Sequence, residues 1–146
     1  YKNKGMKRMF FFLPLLTILF GNCQNGNNQP KTNIEKEGVN ILYFHGEHHC
    51  KVCEAIETNT QIVVDSLFSD AVKEEKLFFH IIDFSKPENE KIADKYQVAW
   101  DALLIVTQKG ESLTTHNLTD FAITQAPNNP EKFQNRLIEI ISEELR

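Results

Sequence analysis

The sequence predicts a single α/β domain in which helices flank a four-stranded mixed β-sheet. Short apolar runs of strand length alternate with amphipathic helical patterns in the order β-α-β-α-β-β-α, over about residues 39–146. A strand, a helix and a second strand favour a right-handed crossover between parallel neighbours, whereas a Gly-containing turn between the last two strands favours an antiparallel pair. A chain of this length is enough to bury a core on both faces of such a sheet.

The first three elements are placed by apolar periodicity. Residues 39–45 form an apolar run of strand length, which ends in a short loop rich in histidine. A helix is predicted over about residues 50–73, because apolar side chains recur there at three-to-four-residue steps or their multiples. Residues 77–83 are almost continuously apolar, which predicts a strand buried on both faces.

The next elements are placed by helix-start and turn signals. Ser85 is predicted to cap a second helix, with Glu88 reaching back to it in a capping box. Strands are predicted at residues 102–106 and 111–115, on either side of a turn at residues 108–110. These two strands supply the antiparallel hairpin of the sheet.

The C-terminal end carries one ambiguous segment and one clear helix. Residues 117–128 are ambiguous and fit a helical turn followed by a loop. Asn129 followed by Pro130 is a signal for the start of a helix. That last helix carries an apolar stripe, which is expected to face the core and consists of Phe133, Leu137, Ile141 and Leu145.

The N-terminal segment is expected to lie outside this domain. Met6 looks like the start of translation, and a basic pair after it precedes a short apolar run at residues 9–20. The run is too short to span a bilayer, so residues 1–22 are predicted to be a leader with a signal peptide. Cys23 opens a polar linker at residues 23–38 and resembles the lipidated cysteine of a bacterial lipoprotein. A soluble exported protein with an unmodified Cys23 is the alternative.

The charge balance narrows the classes of partner. Four of the 16 basic residues and none of the 20 acidic residues precede Cys23, so the rest of the chain has a net charge of about −8. An acidic surface argues against nucleic-acid binding and offers no polybasic patch for a membrane surface. The leader pattern predicts an exported bacterial protein, periplasmic or on the outer membrane. The acidic charge predicts that it contacts a membrane through its lipid anchor alone.

The candidate chemistry lies at Cys50 and Cys53, where the first strand gives way to a long helix. At a helix N-terminus, free backbone N–H groups and the helix dipole stabilise a thiolate. Two intervening residues make about one helical turn, so the second sulfur can reach the first. We expect Cys50 to attack a partner disulfide and Cys53 to resolve the resulting mixed disulfide. The alternative is a permanent disulfide or a pair of buried thiols without redox function.

This order of elements, with Cys-x-x-Cys at the first strand-to-helix junction, resembles the thioredoxin fold over about residues 38–146. Residues 95–111 support the resemblance, because they align without gaps on the thioredoxin pattern in which KYG precedes a Pro-Thr strand start and an NGE hairpin. The segments YFHG, HHCKVCEAIE, NEKIADKY and NLTD resemble a narrower group of exported bacterial thioredoxin-like proteins. That group is the ArsF type (nitrophenyl compound nitroreductase subunit), whose name implies a link to aromatic arsenicals.

Three departures from the thioredoxin pattern bear on the site. Ala102 stands where thioredoxins have a cis-proline that faces the dithiol. Phe44, or Tyr43 if the following loop is one residue longer, replaces the buried acid that accepts a proton in thioredoxins. Around the cysteines, Lys-Val replaces Gly-Pro and a histidine replaces the preceding Trp. The resemblance therefore implies dithiol chemistry rather than general thioredoxin activity.

Further side chains are candidates for tuning the dithiol. Three of them bring positive or partly positive charge close to the first cysteine and are expected to lower its pKa, namely His48, His49 and Lys51. Asp83 ends a strand at the carboxyl edge of the predicted sheet, where it could exchange protons with the dithiol or cap a turn. Trp100 and Asp101 precede Ala102 and are expected either to line a partner groove or to pack.

The same cysteines allow a second function. With the neighbouring imidazoles they form a soft donor set suited to Cu(I) or Zn(II), made of His45, His48, His49, Cys50 and Cys53. A reduced dithiol would also capture As(III), in keeping with the name of the narrower group. The redox interpretation needs no cofactor, but it requires a partner, which is an exported protein thiol or disulfide, a membrane protein or a flavoprotein. An interaction module without turnover is a third candidate.

Overall fold

The structure is a computed structural model that describes residues 36–48 and 50–146. The predicted leader, Cys23 and nearly all of the predicted linker lie outside the described residues. In the described part of the chain, no helix combines the length and the apolar character needed to cross a membrane.

The described residues form four strands and five α-helices. The strands are β1 (Gly38–His45), β2 (Leu77–Asp83), β3 (Ala102–Lys109) and β4 (Ser112–Asn117). The helices are α1 (Lys51–Leu67), α2 (Ser69–Lys73), α3 (Glu90–Lys95), α4 (Thr119–Asn128) and α5 (Pro130–Glu144), with a 3-10 turn at Pro87–Asn89 before α3. Each of the four predicted strands is present, and β3 and β4 each extend beyond their predicted ends.

The four strands form one mixed sheet in the order β2-β1-β3-β4. β1 runs parallel to β2 and antiparallel to β3, and β3 runs antiparallel to β4. At the end of β1, Phe44 pairs with Ala102 at the start of β3, and His45 pairs with Asp83 at the end of β2. The predicted mixed sheet is confirmed, and its register brings the end of β1 next to the start of β3. β2 is an edge strand and is mostly half-buried, so the prediction that it is buried on both faces is wrong.

The sheet has a hydrophobic core on each face, as the fold class requires. Successive side chains of β1 alternate between the faces, so Tyr43 packs in one cluster and Phe44 in the other. The cluster with Tyr43 includes buried side chains of α1, α4 and α5, whereas the cluster with Phe44 includes side chains of α3 and the loop after it. Helices therefore cover both faces, which confirms the α/β arrangement of a mixed sheet flanked by helices.

The helices differ from the prediction in three places. The predicted long helix is interrupted at Phe68, whose backbone (φ −121°, ψ 16°) leaves helical geometry between α1 and α2. The predicted cap at Ser85 is wrong, because its hydroxyl donates to Oδ1 of Asp83 at 2.6 Å and no side chain caps the 3-10 turn or α3. The ambiguous segment forms α4, whose buried residues are small and give little hydrophobic signal, namely Thr119, Ala122 and Ala126.

A side-chain pair ties the outer strand of the hairpin to the last helix. Nε2 of His116 on β4 lies 2.6 Å from Oε1 of Glu144 on α5. Burial raises the pKa of Glu144, but the hydrogen bond with His116 and further favourable interactions together outweigh this effect and hold the pKa below its ordinary value of 4.5. A carboxyl whose pKa is lowered by folding contributes stability above its ordinary pKa, and this contribution is lost as the pH falls through the folded-state value.

Replacing Glu144 by Gln is expected to lower the free energy of unfolding by about 1 kcal/mol at neutral pH, because the amide removes the ionised acceptor from a partly exposed pair. The difference between the two proteins should shrink as the pH falls below the ordinary value of 4.5. Urea unfolding followed by circular dichroism measures it, with the exposed Glu143→Gln as a control that changes little at any pH. An equal difference at neutral pH and at about pH 3 would contradict this account of the pair.

Candidate functional site

The end of β1 and the start of α1 place the two cysteines. β1 ends at His45, a short loop follows, and Cys50 becomes the N-cap residue of α1 with extended backbone (φ −96°, ψ 168°). Sγ of Cys50 accepts a hydrogen bond from the backbone N–H of Cys53 at 3.4 Å, in the manner of an N-cap side chain. The structure thus places the pair at the helix N-terminus, as the sequence predicts.

The two cysteines differ sharply in exposure. Their sulfur atoms lie 2.9 Å apart, and both residues are free cysteines. Cys50 is exposed, whereas Cys53 has only 2% of its surface exposed and packs in the core cluster of α1. A partner can therefore reach Cys50 directly, and Cys53 can act only on something already attached to Cys50.

The two thiols also differ in acidity. The contact with the sulfur of Cys53, followed by the hydrogen bond from the backbone N–H of that residue, holds the pKa of Cys50 below its ordinary value. Burial raises the pKa of Cys53 to about 11, and its side-chain hydrogen bonds with Cys50 and Asp101 act in the same direction. At neutral pH the site therefore combines one readily ionised thiol with one that keeps its proton.

Asp101 is the acid in contact with the dithiol. Its Oδ2 accepts a hydrogen bond from Sγ of Cys53 at 3.1 Å, and its Oδ1 accepts one from the backbone N–H of Gly46 at 3.1 Å. The register explains this contact, because Asp101 directly precedes β3 and β3 starts opposite the end of β1. The sequence placed Asp101 near a partner groove and missed the contact with Cys53, which the antiparallel pairing of β1 with β3 could have indicated.

Tyr43 contributes a buried hydroxyl on the same face of the sheet as Cys53. The residue is fully buried, and its hydroxyl lies beside the thiol of Cys53. Burial, followed by the neighbouring thiol of Cys53, raises the pKa of Tyr43. The phenol therefore keeps its proton and offers a donor toward a sulfur that becomes negative.

Two of the basic residues predicted to lower the pKa of Cys50, His48 and Lys51, are not its main influence. His48 and Lys51 are exposed, and the chief causes of the lowered pKa are the thiol and backbone N–H of Cys53. Nδ1 of His45 lies 2.7 Å from the carbonyl oxygen of the next residue. His49 lies outside the described residues.

Asp83 holds a turn instead of serving the dithiol. Its Oδ1 accepts hydrogen bonds from the hydroxyl and the backbone N–H of Ser85, at 2.6 and 3.0 Å. The hydrogen bond from the hydroxyl of Ser85 is the main reason that the pKa of Asp83 lies below its ordinary value. The structure thus supports the turn-capping alternative and places Asp101, rather than Asp83, against the dithiol.

The residues on either side of Asp101 line a cavity. Trp100 has 70% of its surface exposed, and Ala102 is buried at the start of β3. Both line a cavity of about 560 Å³ that extends toward the start of α4. The peptide bond before Ala102 is trans, like the others in the described part of the chain. These positions agree with the expected partner groove, which stays a prediction.

Donor atoms that could hold a metal ion also meet here. The sulfur atoms of Cys50 and Cys53 and a carboxylate oxygen of Asp101 all lie within 4.8 Å of one another. Among the described residues, no other group of three such donors is as compact, and neither His45 nor His48 belongs to this one. The described part of the chain therefore does not assemble the histidine-containing donor set that the sequence suggested.

Comparisons with known proteins find distant structural likenesses. No protein-family model matches the chain, and no curated protein matches it. A thioredoxin from Thermus thermophilus is 16% identical with a TM-score of 0.47, and the match covers 73% of this chain and 76% of that chain. A structure described as that of a malarial protein is 18% identical with a TM-score of 0.45, and covers 75% of this chain and 100% of that chain. At these identities and TM-scores, any argument about function rests on the geometry of the site.

Proposed function

We propose that this protein is an exported thiol–disulfide oxidoreductase that works through Cys50 and Cys53. The observation that carries the proposal is an exposed cysteine of lowered pKa with a buried thiol 2.9 Å from its sulfur. Disulfide exchange requires a thiolate that a partner can reach and a second thiol that can displace the partner. A purely structural pair requires neither the exposure nor the lowered pKa.

The exchange consists of two displacements. The thiolate of Cys50 attacks one sulfur of a partner disulfide, so that a mixed disulfide forms and the other partner sulfur leaves as a thiolate. Cys53 then attacks Sγ of Cys50, the intramolecular disulfide forms, and the second partner sulfur leaves. The partner gains two electrons and the two protons that the cysteines lose, and ends as a dithiol. The same steps in reverse would oxidise a partner dithiol.

The finer parts of the proposal rest on sequence alone. The leader pattern supports export to the periplasm or the outer membrane and a lipid anchor at Cys23. The segments quoted above support a place for this chain in the ArsF-type group, whose name is linked to arsenicals, with a membrane protein or a flavoprotein as redox partner. Capture of Cu(I), Zn(II) or As(III) is an alternative use of the same thiols, favoured by the close approach of the two sulfur atoms.

Replacing Cys53 by Ser is expected to trap the mixed disulfide on Cys50, because the second displacement loses its nucleophile. Reduced protein that carries Cys23→Ser, so that only the pair can react, is mixed with oxidised glutathione, and the products are identified by intact-mass analysis. Wild-type protein should end as the internal disulfide without adduct, whereas the variant should carry one glutathione. The proposal would be abandoned if wild-type protein stayed a dithiol while the same thiols took up As(III).

A further inference from the structure

The carboxylate of Asp101 joins the two segments that build the site. Oδ1 accepts from the N–H of Gly46 in the loop after β1, and Oδ2 accepts from the thiol of Cys53 in α1, both at 3.1 Å. Both oxygens therefore accept, which is the arrangement of an ionised carboxylate held between two donors. The backbone hydrogen bond fixes Oδ1, so the free lone pairs of Oδ2 stay directed at the sulfur that must react second.

The second displacement needs a proton acceptor. Burial raises the pKa of Cys53 to about 11, so at neutral pH this residue enters the reaction as a thiol, whereas only the thiolate attacks a disulfide. The described titratable groups that face it are Cys50, Tyr43 and Asp101. In the mixed disulfide the sulfur of Cys50 is bonded to the partner, and the phenol of Tyr43 keeps its own proton. The carboxylate is the remaining acceptor within hydrogen-bonding distance.

We propose that Asp101 is the general base of the second displacement and takes the proton of Cys53 as its sulfur attacks Sγ of Cys50. This inference rests on the proposed function. The S–H bond of Cys53 breaks, the S–S bond between Cys53 and Cys50 forms, and the electron pair of the mixed disulfide leaves with the partner sulfur. The proton passes from Asp101 to solvent or to the departing partner thiolate.

A purely electrostatic role for Asp101 gives the opposite result. The hydrogen bond with Asp101 contributes to the raised pKa of Cys53, so removal of the negative charge would yield more thiolate at neutral pH. Loss of an electrostatic influence alone would therefore speed the second displacement. Loss of a proton acceptor would slow it. The sign of the change in rate distinguishes the two roles.

The test separates the two displacements with an aromatic disulfide that releases a coloured thiolate at each step. The reduced chain with Cys23→Ser is mixed with the probe, so that only Cys50 and Cys53 can react, and both releases are followed by stopped-flow absorbance. Asp101→Asn keeps an oxygen that can accept from Gly46 but removes the proton acceptor. Asp83→Asn is the matched control, because Asp83, like Asp101, lies beside the end of β1 but holds a turn with Ser85. Cys53→Ser identifies the second release by its absence.

Asp101→Asn is expected to slow the second release by about a hundredfold at neutral pH and to leave the first release nearly unchanged. The difference in the rate of the second release between the variant and the wild type should narrow as the pH rises toward the pKa of Cys53, about 11, because the thiolate then forms without a base. If the Asn variant does not fold, Asp101→Ala should regain the second release when formate is added. An unchanged or faster second release, or equal slowing of both releases, would overturn the inference. If wild-type protein showed no second release, the proposed function itself would fail.

Discussion

Replacing Cys50 by Ser is expected to reduce thiol–disulfide exchange to the level of a buffer blank. A serine hydroxyl does not form a nucleophilic anion at neutral pH, and Cys53 cannot substitute, because it is only 2% exposed and its pKa is raised to about 11. The measurement is the rate at which the protein reduces an aromatic disulfide, with Cys23→Ser in every variant so that Cys23 does not react. In the same background, alkylation of Cys50 by iodoacetamide should level off at a lower pH than alkylation of an ordinary thiol, because the pKa of Cys50 is lowered.

Cys53→Ser supplies the matched control for this result. Cys53→Ser makes the same replacement of sulfur by oxygen, but at the second cysteine. This variant should still release one thiolate from the probe, because Cys50 remains exposed. Exchange that persisted in Cys50→Ser at the wild-type rate would show that another thiol is the nucleophile. That result would contradict the assignment of roles to the two cysteines.

Replacing Phe133 by Ala is expected to lower the free energy of unfolding by about 3–5 kcal/mol, because it opens a cavity in the core. Phe133 lies on α5, is fully buried and packs in the cluster that also holds Tyr43 and Cys53. Guanidinium unfolding of the reduced protein, followed by circular dichroism, measures the change. Since the helix that carries Cys53 packs in this cluster, the variant should also lose part of the difference in exposure between the two thiols.

Ile123→Ala is the matched control for the core substitution. Ile123 lies on α4 with 41% of its surface exposed, so its truncation removes little buried surface. We expect a loss of about 0.5 kcal/mol or less for this substitution. A loss below about 1 kcal/mol for Phe133→Ala would show that α5 is not part of the main core.

Much of the fold follows from local patterns in the sequence. β1 and β2 are nearly continuous apolar runs, and α5 combines a clear start at Asn129 with an apolar stripe, so these elements have strong signals. The sequence of α4 is ambiguous because small residues form its buried face, and small side chains give a weak periodic signal. The break at Phe68 was missed because the apolar pattern continues across it into α2.

The candidate site was predictable only in part, because part of it is built by pairing between distant segments. Cys50 and Cys53 are only three positions apart in the chain, and the start of the helix that carries them can be recognised from the local sequence. The contact of Asp101 with Cys53 joins residues 48 positions apart, and it depends on the register of β1 with β3. Asp83 also lies beside the end of β1, but its carboxylate accepts hydrogen bonds from the following turn. The sequence alone does not show which of the two aspartates contacts the dithiol.

The reduction potential of the Cys50–Cys53 pair tests the central claim most directly. The chain with Cys23→Ser is equilibrated in buffers of graded thiol and disulfide content, and the dithiol fraction is read from the mass shift after alkylation. A redox-active pair should titrate with a potential well above about −300 mV, in the range of cycling dithiols. A bridge that stays oxidised at potentials below about −300 mV would mark a structural disulfide and contradict the proposed function.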